Sequence, residues 1–182
     1  MDRRYLAAGV LAAAAIGVAL VGGGTPRTGG PAAADAMNGS EGWRTVQLTD
    51  VRTGETFTIA GFDRPVLLES FAVWCPTCTR QQEELKELHG QVGDDIVSVS
   101  IDIDPNEDAQ KVRNHIERHG FDWRYVVAPA AFTRSLVDEF GRSILNAPLA
   151  PMVVVCPDGT AQRLPDGVKT ASTLQDMVDQ RC

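Results

Sequence analysis

The sequence has no stripe of basic residues, no glycine-rich phosphate loop, no Ser-His-Asp arrangement and no internal repeat. Over 182 residues the formal charge is −7, and only three of the 17 basic residues are lysine. An acidic chain without a basic face argues against nucleic-acid binding. The missing phosphate loop removes the commonest nucleotide-binding device, and no other cofactor site is visible. The missing catalytic triad sets aside serine-hydrolase chemistry. What is present is a foldable composition, 43% hydrophobic and 23% charged, in a length that fits one ordinary domain plus a tail.

The tail reads separately. Arg3 and Arg4 precede an apolar run from Leu6 to Val21, followed by glycines, which is the layout of a secretory signal or a single membrane anchor. The sixteen residues of the run are short for a span, and Gly22 to Thr25 extend it towards the roughly 20 needed. Ala34-Asp35-Ala36 fits a small-x-small cleavage site, although it lies well beyond the run. No cysteine follows the run, which excludes a lipoprotein anchor. A start at Met37, in the cytosol, is the bland alternative. With Arg3 and Arg4 retained inside, everything after the run is exported. We therefore expect residues 1–24 to be a signal peptide or membrane anchor and residues 25–42, rich in Gly, Ala and Pro, to be a flexible linker. Residues 43–182 form the folded domain. From residue 37 onward the chain has 14 basic and 22 acidic residues.

Within the domain, residues 44–62 alternate on either side of Thr53-Gly54, a hairpin signal. "RPVLLESFAV" is an almost continuous apolar run, as expected for a central strand covered on both faces. Pro76 to His89 predicts a helix stopped by Gly90. A second buried strand (95–103), a helix ended by Gly120, a short strand at "WRYVVA" and a helix at "AAFTRSLVDEFG" follow. "PMVVVC" and "TAQRLP" form a hairpin across Pro157-Asp158-Gly159, and a helix closes the chain. The alternation predicts an α/β domain with a mixed sheet and helices on both faces. A core of this size needs no disulfide to fold, so the four cysteines call for another explanation.

Cys75 and Cys78 sit directly after the apolar strand, at the start of a helix. A thiolate in that first turn meets unpaired N–H groups and the positive end of the helix dipole. Its proton then comes off more easily, which makes the sulfur a nucleophile near neutral pH. Pro76 fits the first helical turn, where its missing N–H costs little. The second cysteine, three positions on, is close enough to form or resolve a disulfide. A zinc site would need two more ligands. His115 and His119 are four apart on a helix, but 36 residues separate Cys78 from His115, against about 12–15 in zinc fingers. As a mere staple, the pair closes too small a loop to stabilise much.

"VLLESFAVWCPTCTRQQEELKEL" resembles the active-site strand and helix of the thioredoxin superfamily, specifically the exported TlpA-like thiol–disulfide oxidoreductases. The likeness covers about residues 43 to 180. It implies a thioredoxin-like fold: a mixed central sheet flanked by helices, with an N-terminal β-hairpin extension and a β-α insertion. It also implies roles. Cys75, as the more exposed cysteine, would attack, and Cys78 would resolve. Trp74 would pack beside the disulfide, with Pro76 and Thr77 in the substrate groove. Pro151 matches the proline that the family holds cis opposite the disulfide, Pro148 being the competing candidate. The backbone of Ala150 would pair with a bound substrate strand. Glu69, six positions before Cys75, stands where thioredoxins carry a buried acid. Buried there, it would have a raised pKa and exchange a proton with Cys78. The alternative is a Glu69 that points to solvent at a strand edge.

Cys156 and Cys182 depart from the family pattern. An even cysteine count in an exported protein suggests that they pair, with 25 residues between them; two free thiols, or a second redox couple feeding Cys75–Cys78, are the other readings. The resemblance implies exchange with disulfide-bearing or dithiol protein partners and an upstream thiol partner, more often as reductant. It implies no cofactor and an extracytoplasmic location, with membrane attachment if residues 1–24 are retained. The rival reading is a Cu(I) metallochaperone with Cys75 and Cys78 as soft ligands and Met152 as a third. A thioredoxin-fold peroxidase would want Thr where Ala72 stands.

Overall fold

In a computed structural model the described residues are 42–182. The leader or anchor at 1–24 and nearly all of the linker at 25–42 lie outside them. Among the described residues no helix is long and apolar enough to cross a membrane.

The chain forms β1 (Leu48–Thr49), β2 (Thr56–Phe57), β3 (Val66–Phe71), α1 (Pro76–Val92), β4 (Val97–Asp102), α2 (Ala109–His119), β5 (Arg124–Val127), α3 (Ala130–Phe140), β6 (Met152–Val155), β7 (Ala161–Arg163) and α4 (Ala171–Arg181). β1 and β2 are a short antiparallel pair around the predicted turn. The main sheet runs β5-β4-β3-β6-β7, with β3 parallel to β4, β4 parallel to β5, and β6 antiparallel to both its neighbours. This is the expected thioredoxin-like mixed sheet.

β3 is central and all six of its residues are buried, which accounts for its unbroken apolar reading. Its side chains divide by parity between two cores. Leu67 and Phe71 join Leu85 and Leu88 of α1, Val112 and Ile116 of α2, and Leu174 and Val178 of α4. Val66 and Leu68 face the other way, onto Phe132 and Leu136 of α3 and onto Trp43. Trp43 is fully buried, edge-on to Phe132 and Phe140 at 5.9 Å each, and its Nε1 donates to Glu139 at 2.7 Å. Arg44 closes the same carboxylate from both guanidinium ends. Trp43 and Arg44 are thus fastened to α3 by one shared acid.

The N-terminal caps separate the helix after β3 from α2 and α4. Asp108 caps α2, its side chain accepting from the N–H groups of Gln110 and Lys111, and Thr170 caps α4. These are the usual short polar caps. On α1 the capping atom is a sulfur, that of Cys75. The far end of α1 differs from expectation. The helix runs through Gly90 and stops at Gly93, whose φ of 59° is a backbone turn that glycine takes without a Cβ penalty. α2 ends as expected on Gly120, which is left-handed.

Cys156, at the end of β6, is joined to Cys182, just beyond α4, by a disulfide. It fastens the last helix to the sheet across a separation of 26 residues. We expect the double variant Cys156→Ser/Cys182→Ser to lose about 3 kcal/mol of stability in the chain-entropy view of cross-links. Urea denaturation of the oxidised proteins measures this, and an unchanged midpoint would show that the cross-link does not stabilise the fold.

Candidate active site

The reactive motif occupies the junction between β3 and α1. Cys75 N–H donates to Ala72 O at 3.1 Å, and Thr79 N–H donates to Cys75 O at 3.1 Å, so the cap residue is held on both sides. Cys75 and Cys78 are joined as a disulfide, their Cα atoms 5.3 Å apart. The two sulfurs see opposite dipoles. Cys75 Sγ accepts from the Cys78 backbone N–H at 3.2 Å, whereas Cys78 Sγ lies 3.2 Å from the carbonyl oxygen of Ala147. After reduction, negative charge is favoured on Cys75, at the helix N-terminus. A thiol at Cys78 finds an acceptor, and a thiolate there would face a carbonyl oxygen. Exposure does not separate the pair in the way the resemblance suggested, since Cys75 is 1% and Cys78 0% exposed. What separates them is the polarity of the atoms around each sulfur.

The loop after β4 fixes the motif from the outside. Trp74 is 57% exposed, and its Nε1 donates to Asp104 Oδ2 at 2.6 Å. Val73 N–H donates to Glu107 Oε2 at 2.7 Å. The N–H of Asn106 and the Trp74 indole hold Asp104 below the usual carboxylate range. Burial, reinforced by the neighbouring Glu107 carboxyl, pushes Asp102 up to about 8 despite the Asp104 N–H. The acids of "DIDPNED" escaped the sequence reading, although their density just after a buried strand was a signal.

Glu69 is fully buried in the middle of β3, so the solvent-facing alternative does not hold. Its register partners are Ser100 on β4 and Met152 on β6. Ser100 Oγ donates to Glu69 Oε2 at 2.9 Å and Gln82 Nε2 donates to the same oxygen at 3.1 Å. Behind them, Trp123 Nε1 donates to Ser100 Oγ at 3.0 Å. His115 Nε2 and Gln82 Oε1 are 2.7 Å apart, with the imidazole as donor because the amide oxygen only accepts. Burial raises Glu69 to about 7, while Gln82, Ser100 and Lys169 pull the other way. Glu69 Oε1 has no partner among the described residues. Ser100 and Gln82 did not stand out in the sequence, and His115 did so only as a candidate metal ligand. Gln81 and Gln82 fall on the buried face of α1 with Cys78, Leu85 and Leu88, and two amides on an apolar face were the available signal.

Lys169 was also missed. Its side chain is buried, with Nζ donating to Ala150 O at 2.9 Å, to Pro165 O at 3.2 Å and to Gly167 O. Burial lowers its pKa to about 8, with Glu69 acting in the opposite direction. This arrangement corrects the expectation for Ala150. That residue is 0% exposed, its N–H donates to Ala147 O at 2.8 Å, and its carbonyl accepts from Lys169. Its backbone is engaged internally, with φ at 45°, instead of open to a strand. Pro151 is buried immediately before β6, its carbonyl accepting from Ser70 N–H at 3.1 Å, while Pro148 is exposed in a 3-10 turn at Ala147–Leu149. Thr77 Oγ1 accepts from Arg80, and Pro76 is exposed.

An open groove of about 330 Å³ adjoins Cys75, with Trp74, Thr79, His115, Arg118 and His119 around it. The histidines that the sequence placed far from the cysteines thus border the same groove as Cys75. Burial, then His119 and Arg118, lower His115 to about 4, so it is neutral at neutral pH. A larger depression of about 500 Å³, with Arg64, His89 and Trp123, lies at the opposite end of the sheet, where β4 and β5 begin, and contains neither cysteine. Met152 is buried in the same cluster as the cysteines. Among the described residues no group of three or more His, Cys, Asp or Glu is placed to hold a metal.

A mixed sheet with a cysteine pair at the N-terminus of the helix following its central strand defines a thioredoxin-like redox domain. The chain belongs to the Redoxin family, whose model matches residues 37–160. It is 30% identical over 77 residues to a thioredoxin of Mycolicibacterium smegmatis, a match covering 41% of this chain and 65%, just under two thirds, of that relative. In fold it is similar to a thiol:disulfide interchange protein of Chlorobium tepidum, with a TM-score of 0.60 at 16% identity, covering 74% of this chain and 91% of that one. It is also similar to a secreted disulfide oxidoreductase of Mycobacterium tuberculosis, with a TM-score of 0.57 at 17% identity, covering 77% and 98%.

Glu69 predicts a pH signature. Folded, it keeps its proton up to about 7, whereas the ordinary value is 4.5. Between these values the folded state binds more protons than the unfolded state, so stability falls as pH rises through that window. Glu69→Gln removes this contribution. Its stability relative to wild type should therefore improve by about 3 kcal/mol between pH 4 and pH 8. Urea melts of both proteins at the two pH values give the difference, and a difference independent of pH would contradict the raised acid.

Proposed function

We propose that the protein is a thiol–disulfide oxidoreductase that works outside the cytoplasm and passes electrons from its Cys75–Cys78 dithiol to disulfides in partner proteins. The observation that carries this reading is the opposed polarity around the two sulfurs, an N–H at Cys75 and a carbonyl at Cys78. The Cys75 thiolate attacks one sulfur of the partner disulfide. That S–S bond breaks, a partner thiolate leaves, and a mixed disulfide forms. Cys78 then gives its proton to the Glu69 carboxylate and its sulfur attacks Cys75 Sγ. The mixed disulfide breaks, the partner leaves with both sulfurs reduced, and Cys75–Cys78 is oxidised. An upstream dithiol restores the pair by the reverse exchange.

A buried carboxyl poised near neutrality suits the resolving step, because it accepts a proton readily and returns it readily. Export is supported by the Arg-Arg and apolar run at the N-terminus, whether residues 1–24 are cleaved or retained as an anchor. The reductant direction is supported by the likeness to TlpA-like proteins. In this reading Trp74, Pro76 and Thr77 border the approach to Cys75, and Pro151 shapes the wall on the β6 side.

Equilibration of the domain with a dithiothreitol series tests the direction: we expect a two-electron transition at or below about −250 mV. A value of about −120 to −180 mV would identify a disulfide donor or isomerase instead. Cys78→Ser should accumulate a mixed disulfide with a disulfide substrate, and Cys75→Ser should form none. The absence of any reversible transition would remove the oxidoreductase reading.

A further inference from the structure

The two flanks of Cys75 differ. Towards β6, the backbone of Ala150 is occupied by Ala147 and Lys169 and is inaccessible. Towards α2, the groove beside Cys75 is open, and the last turn of α2 forms its far side. Arg118 stands there, exposed, without a hydrogen bond or ion pair among the described residues. Its neighbours are otherwise engaged. His119 Nδ1 lies 3.7 Å from Glu83, and its carbonyl accepts from Lys86 Nζ. His115 is bonded to Gln82. The preference for cations at a helix C-terminus accounts for basic residues in this turn. It does not account for the turn abutting the reactive sulfur of a molecule that is otherwise acidic.

We propose that the groove between Cys75 and the end of α2 receives the partner segment that flanks the target disulfide, and that Arg118 selects segments with a carboxylate next to the cysteine. The occupant is an acidic, disulfide-bearing stretch of a partner protein. Charge complementarity carries the assignment: a guanidinium without a hydrogen bond or ion pair among the described residues can donate to a carboxylate in bidentate fashion, and it borders the same groove as Cys75. Trp74 supplies an exposed aromatic face on the same groove. The proposal rests on the oxidoreductase reading and adds to it a partner class. It also moves recognition away from the β6 flank, where the resemblance placed it, to side chains of α2.

The test uses three internally disulfide-bonded peptides that differ only in carrying Glu, Gln or Lys beside each cysteine. Their reduction by the dithiol form of wild type, Arg118→Ala and Arg118→Glu is followed by chromatography of acid-quenched samples. The net negative charge of the molecule slows every acidic peptide alike, so the readout is the Glu-to-Lys rate ratio compared between proteins. We expect that ratio to fall about fivefold in Arg118→Ala, and further in Arg118→Glu. A ratio that is the same in all three proteins would overturn the inference while leaving the oxidoreductase reading intact, provided the Gln peptide is reduced. If none of the three peptides is reduced by wild type, both readings fall. Arg118 is exposed at a helix end, and circular dichroism of each variant verifies its fold.

Discussion

The backbone N–H of Cys78 is aimed at the sulfur of Cys75 over 3.2 Å, and most of the surrounding structure serves to keep that geometry in place. A helix leaves its first N–H groups without internal partners. In α2 and α4 an oxygen of Asp108 or Thr170 meets them. In α1 a sulfur of the Cys75–Cys78 disulfide takes that part, so the cap that starts the helix is also the atom we propose as the nucleophile. Pro76 starts the helix without wasting a donor, and β3 delivers the chain to this point from the middle of the sheet. From above, Glu107 and Asp104 hold Val73 and Trp74. The opposite polarity at Cys78, with the Ala147 carbonyl as its neighbour, makes the two sulfurs chemically unequal before any partner arrives.

Beneath the disulfide the domain carries polar groups where a core of this kind would ordinarily be apolar. A buried carboxylate costs several kcal/mol unless donors compensate. Ser100 and Gln82 compensate Glu69 only in part, because both donate to the same oxygen. The other oxygen has no partner among the described residues, and the acid settles near neutrality instead of near its ordinary value. Lys169 solves the same problem by giving its three N–H donors to three carbonyls. In doing so it ties the segment before Pro151 to the loop before α4. The same bond closes the backbone edge at Ala150, which leaves the α2 side of Cys75 as the open approach.

The scaffold was legible in the sequence where a segment's environment is uniform. Val66–Phe71 is buried on both faces and reads as an apolar run, and the cysteine spacing at a strand–helix junction carries its chemistry in the local chain. The end of α1 was misread, because Gly90 only permits a stop, whereas Gly93 adopts the positive φ that makes one. The supporting groups of the site were not legible. Ser100 meets Glu69 only through the β3–β4 register, and His115 reaches Gln82 only because α2 packs against α1 and β3. Lys169 lies 19 residues from the carbonyl it caps. A family likeness pointed to the backbone of Ala150 and did not foresee that it is occupied, since that depends on a lysine outside the motif.

The central claim is that the surroundings of the two sulfurs make Cys75 the nucleophile and keep Cys78 a thiol until resolution. The most direct measurement is site-resolved alkylation of the freshly reduced domain, with limiting iodoacetamide at mildly acidic pH and peptide mass spectrometry to locate the label. The account predicts label on Cys75 while Cys78 remains unmodified. Equal labelling, or label on Cys78 first, would contradict it.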